Sequence, residues 1–121
     1  MPIEYFRHTD NGLNIPIADG AVTLEGVSTS ASVHQVYVSF YGADGETLAT
    51  PTDGTLTFRG GIVPGQYLEA SSGGTIIAAD VTPGDAAYTP PVFNGGVFYA
   101  KMTKGDIAGA SYVRACIWSD D

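Results

Sequence analysis

Glycine and proline interrupt this chain so often that long helices are excluded before any other property is considered. Only Val27–Tyr41 and Ala110–Asp121 continue for ten residues or more without one of them. A helical domain needs longer uninterrupted segments, because a short isolated helix does not recover its nucleation cost. Five Asn-Gly or Asp-Gly pairs (Asn11-Gly12, Asp19-Gly20, Asp44-Gly45, Asp53-Gly54, Asn94-Gly95) are strong short-turn signals, since both residue types tolerate positive φ. Their spacing predicts strands joined in meanders or a sandwich.

The uninterrupted segments read as strands. In Tyr112–Trp118, Val113, Ala115 and Ile117 alternate with Tyr112, Arg114, Cys116 and Trp118, the period-two pattern of β structure. Bulk on both faces predicts a central or interface strand. Its inner face is expected to share a core with Phe98, Ala100 and Met102. Val33–Tyr41 places Val36, Val38 and Phe40 on one face and Val33, Gln35, Tyr37, Ser39 and Tyr41 on the other; its β-branched and aromatic content favours strand over helix. Leu56 and Phe58 are expected to face inward. Thr75–Val81 fits either a buried strand or one helical turn. Thr82–Pro91 reads as an extended loop, and Ile107–Ala110 as a short helical turn.

Pro16 removes a backbone donor, so the segment around it belongs at a sheet edge. Residues 1–26 are read as a loosely attached N-terminal arm or edge ribbon, and residues 27–121 as the main domain. The fold class expected is all-β: an antiparallel β-sandwich, jelly-roll-like in size, with that arm or ribbon.

Composition narrows the function classes. A chain of 121 residues buries roughly two thirds of its unfolded surface and folds without staples. A single cysteine, Cys116, allows no intrachain disulfide. The start has no signal-peptide pattern, which points to synthesis in a reducing cytoplasm. No apolar run is long enough for a membrane helix. Net charge −8, from 5 basic and 13 acidic residues, opposes binding to a phosphate backbone. Only 15% of residues are charged, against roughly 25% in ordinary globular chains. Such a surface suits permanent assembly.

Catalytic and metal patterns are weak. His8 and His34 are the two histidines, and neither sits in a metal-binding spacing; His8 with Asp10 reads as a turn-flanking pair. Asp44, Glu46 and Asp53 do not form a calcium-loop motif, and turn geometry accounts for Asp before Gly. Cys116 would be a nucleophile only with a histidine beside it, His34 being the one candidate on another strand; mid-strand cysteines more often act as small hydrophobes. Gly60–Gly65 lacks the lysine of a phosphate loop. The expectation is a non-enzymatic protein with no metal and no cofactor. Its surplus aromatics and nearby cations, Tyr5, Phe6, Arg7, Tyr99, Tyr112, Arg114 and Trp118, are the interface candidates.

The stretch from Gly73 to Asp121 has a Gly-flanked apolar run, a Thr/Pro loop, an F-N-G-G element, an alternating V-F-Y-A-K strand and a closing I-A-G-A-S-Y-V-R-A. With the opening MPIEYFRHTDNGLNIPI, it resembles the small all-β structural proteins of tailed bacteriophages, of the capsid-decoration, head-fibre or tail-attached type. The resemblance implies a virion protein assembled in the host cytoplasm, homo-oligomeric and often trimeric. It would dock on capsid or tail proteins through its arm, with no nucleic acid or membrane partner. The alternative is a carbohydrate- or receptor-binding sandwich of a tail appendage.

Overall fold

A computed structural model describes residues 3–18, 20–63, 65–69, 74–81, 91–95 and 97–120. The described residues form ten strands: β1 (Ile3–Tyr5), β2 (Ile15–Pro16), β3 (Ala21–Glu25), β4 (Val33–Tyr41), β5 (Thr55–Gly61), β6 (Leu68–Glu69), β7 (Thr75–Ile77), β8 (Val92–Asn94), β9 (Tyr99–Lys104) and β10 (Tyr112–Ser119). They make two antiparallel sheets, one in the order β1-β10-β4-β8 with β2 also on β10, the other β3-β9-β5-β6 with β7 also on β5. The chain is an all-β sandwich. The ambiguous stretch at 75–81 resolves into both of its readings, β7 followed by one 3-10 turn at Ala78–Asp80.

The inner faces follow from alternation. Val36, Phe40, Val113, Ala115 and Ile117 of the first sheet meet Leu56, Phe58, Ala100 and Met102 of the second in one buried cluster. Phe98 departs from expectation. It lies in a bend before β9 begins, so Val97 turns into the core and Phe98 is 39% exposed. Nor is β9 the hydrogen-bonded neighbour of β10, since the two lie in different sheets. Gly60 of β5 lets Val97 and Phe93 of β8 pack close against it: a Cβ there would sit 3.1 Å from Val97 and 3.3 Å from the Phe93 ring.

Of the two arrangements the turn spacing suits, the sandwich forms and meanders do not. Of the eight strand pairings, β5 with β6 is the one that joins neighbours in sequence. β1 to β2 and β6 to β7 stay within a sheet without pairing, and the remaining connections, β2 to β3, β3 to β4, β4 to β5, β7 to β8, β8 to β9 and β9 to β10, cross between sheets. Gly12, Gly45, Gly54 and Gly95 do adopt positive φ, while no described Asn or Asp does. These pairs therefore turn the chain without building the two-residue hairpins that need positive φ at both central positions. Asp53-Gly54 lies on a crossover, and Asp19 and residues 82–90 lie outside the described residues. Ile107–Ala110 is not helical; Ala108 bridges to Asp53 instead.

Residues 3–25 lie at the edges of both sheets. β1 and β2 share the free side of β10, and β3 borders β9. They also contribute core: Phe6 and Ile15 have no exposed surface, and the Phe6 ring lies 5.9 Å from that of Phe58 in the opposite sheet.

Candidate functional site

β10 is the central strand of the first sheet, bordered by β4 along its whole length and by β1 and β2 on its other side. Cross-strand partners share a face. Tyr112, Arg114, Cys116 and Trp118 therefore stand on the outer surface beside Tyr41, Ser39, Tyr37 and Gln35 of β4. Tyr5 and Ile3 of β1 complete the row opposite Cys116 and Trp118. No second layer covers this face among the described residues: its four β10 side chains are half-buried, and Ile3, Tyr5 and Tyr37 are 49%, 37% and 42% exposed.

Arg114 is the fixed point of the face. Its Nε donates to Asn14 Oδ1 at 2.6 Å and its Nη2 to the Gly45 carbonyl at 2.9 Å. Its guanidinium carbon lies 4.1 Å from the centre of the Tyr41 ring, an arrangement that stabilises by about 0.5–2 kcal/mol depending on solvent access. Asn14 Nδ2 donates to the same Gly45 carbonyl at 3.1 Å. The turn after β4 is thus clamped from two sides. Gly45 is required there, at φ 72° and with no room for a Cβ, which would meet Asn14 Nδ2 at 2.6 Å. Beside the clamp runs a shallow groove of about 210 Å3, walled by Tyr5, Tyr37, Tyr41 and Arg114.

The turn itself is held by Asp44, whose Oδ1 accepts the backbone N–H groups of Glu46 and Thr47 while Oδ2 accepts the Thr47 hydroxyl. The hydroxyl bond first, and the two N–H bonds after it, hold this carboxyl down at about 2. Asp53 Oδ1 accepts the Gly54 N–H, and His8 Nδ1 accepts those of Asp10 and Asn11. All three side chains are occupied with local turns. The described residues contain no group of three metal-ligating side chains.

Cys116 and His34 do not meet. His34 is fully buried on the inner face, with Nδ1 2.9 Å from Ser119 Oγ, whereas Cys116 stands on the outer face opposite Tyr37. Burial pushes the Cys116 thiol up, only partly offset by the Tyr37 backbone, so it stays protonated at neutral pH and is a poor nucleophile.

The interface candidates divide. Tyr5, Tyr112, Arg114 and Trp118 are brought onto one surface. Phe6 lies in the chain's own core, and exposed Arg7 follows it just beyond β1. Tyr99 belongs to the second sheet, where it packs edge-on against Phe98 at 5.0 Å. That sheet's outer face differs in composition, with Thr23, Thr57, Thr75 and Thr103 in adjacent strands beside Tyr99 and the exposed Ile77. A concavity near it, about 490 Å3, is lined by Asp53, Lys104 and Asp106 and includes none of the candidates. The residues missed from the site are Asn14, Tyr37 and Tyr41. The alternation of β4 had already put both tyrosines on its outer face; what sequence could not supply was the pairing of β4 with β10.

No protein-family model and no curated protein sequence matches this chain. Among the described residues no helix is long and apolar enough to cross a membrane.

Proposed function

We propose that the chain is a non-enzymatic assembly module, of the kind the phage-virion resemblance implies, and that the outer face of the first sheet is its subunit interface. One observation carries this: aromatics concentrate on one outer face, which bears Tyr5, Tyr37, Tyr41, Tyr112 and Trp118, while the other is rich in threonine and holds Tyr99 and Ile77. Aromatic side chains and arginine concentrate at interface hot spots. A sheet face with three strongly exposed large apolar or aromatic groups gains by being covered. Within a virion it would bind capsid or tail proteins, in an oligomer for which a trimer is the first expectation. A jelly-roll strand order would place it among similarly built virion proteins.

The test is light scattering across a wide concentration range, with co-sedimentation on phage heads and tails. Assembly or particle binding that Tyr37→Ser and Trp118→Ala weaken together supports the reading. A strict monomer that ignores both particles overturns it.

A second reading is favoured by the groove. Three tyrosine rings beside a guanidinium and the Ser39 hydroxyl provide stacking and polar contacts suited to a sugar ring. Quenching of Trp118 fluorescence by glycans would support this reading, and a flat response across a glycan panel would remove it.

A further inference from the structure

We propose that Arg114 is a carboxylate receptor, and that its carboxylate comes from a second copy of this chain packed head-to-tail against the outer face of the first sheet. The inference rests on that face being an interface and names what occupies its centre.

Charge is distributed unevenly over the molecule. The outward positions of β1, β4, β8 and β10 carry one cation, Arg114, and no carboxylate. The chain as a whole carries 13 acidic residues against 5 basic, with Asp10, Asp44, Glu46, Asp53 and Asp106 all exposed. The strands of the face therefore present a lone cation, and two carboxylates, Asp44 and Glu46, sit at its rim on the Gly45 turn. Two copies packed face to face with their Arg114 side chains opposed would bring like charges together, which costs affinity. A head-to-tail contact puts an acidic turn on the face instead, and such contacts close into rings when the rotation allows.

Arg114 is also built to receive one. Its partners in the described chain are the Asn14 side-chain oxygen, the Gly45 carbonyl and the Tyr41 ring, none of them a charge. Nε–H and one Nη2–H are used. Two hydrogens on Nη1 and one on Nη2 are left over, among them the parallel pair at the far edge of the guanidinium that takes a carboxylate in bidentate fashion. The clamp and the ring stacking fix the fork in advance, so little side-chain freedom remains to be lost on binding.

Sedimentation velocity over a concentration series tests this with four proteins: wild type, Arg114→Gln, Thr47→Val and Tyr37→Ser, each checked for native near-ultraviolet circular dichroism. Thr47→Val removes the hydroxyl that bonds Asp44 and so loosens the Gly45 turn while keeping every contact of Arg114; it separates a role in positioning the turn from a role in binding. The expected result is a wild-type oligomer whose dissociation constant rises roughly 30-fold or more in Arg114→Gln, rises also in Tyr37→Ser, and changes by less than about threefold in Thr47→Val. A wild type that stays monomeric overturns the inference even if the protein binds phage particles. So does an oligomer unaffected by Arg114→Gln, or one weakened equally by Thr47→Val; in those two cases the interface reading survives and the carboxylate receptor does not.

Discussion

Single residues decide which side of the chain is available. Tyr5 and Phe6 are adjacent, yet one is 37% exposed and the other has no accessible surface. Phe6→Ala should destabilise the protein by about 3–5 kcal/mol, the usual cost of emptying a buried aromatic site, while Tyr5→Ala should cost less than about 1 kcal/mol; urea unfolding measures both. The order of the two effects could not be read from sequence, because residues 3–8 alternate too briefly to show which side meets the core. Val113, Ala115 and Ile117 were legible for the opposite reason, being embedded in a long alternation. Asp44 gives a second test at this scale. Its carboxyl ionises at about 2 when folded, below the ordinary 3.8, so it contributes stability above about pH 4 that is lost as pH falls toward 2. The stability gap between wild type and Asp44→Ala should be plain at about pH 6 and shrink towards zero at about pH 2. An equal gap at both would refute the linkage.

At the level of elements, β1 and β2 divide the free side of β10 between them, and the short loop that follows β1 carries Phe6 inward. Deleting residues 1–7 should therefore expose the edge of β10 around Cys116 as well as empty the Phe6 site. The half-buried thiol of the intact protein should react slowly with a thiol reagent near pH 7.5, and the truncated protein several-fold faster. Equal rates would mean that β1 does not shield this edge. Turn positions were the most legible elements and connections the least. Gly12, Gly45, Gly54 and Gly95 take the positive φ that their Asn or Asp predecessors advertise, but local turn chemistry is the same whether a strand returns beside its neighbour or leaves for the other sheet. Likewise the alternation 98-100-102 predicted an inward Phe98. The bend at that residue, tied by Phe98 N–H to the Gly61 carbonyl at 2.9 Å, comes from the opposite strand and leaves no local signal.

For the whole molecule, the strand order governs kinetics. With one pairing between sequence neighbours and the rest between distant segments, loop-closure entropy opposes the early steps of folding. Refolding monitored by Trp118 fluorescence should fall in the millisecond-to-second range typical of sandwiches, and a microsecond phase carrying the full amplitude would contradict this topology. The same arrangement has a consequence during biosynthesis. β1, β2 and β4 all depend on β10, so none of them has its principal partner until residues 112–119 have emerged from the ribosome. Translation is slow beside strand pairing. Until then the nascent chain holds Val36, Val38 and Phe40 on an unpaired strand edge open to other chains, so crowding on polysomes, more than the stability of the finished sandwich, is where expression of this protein would be most easily lost.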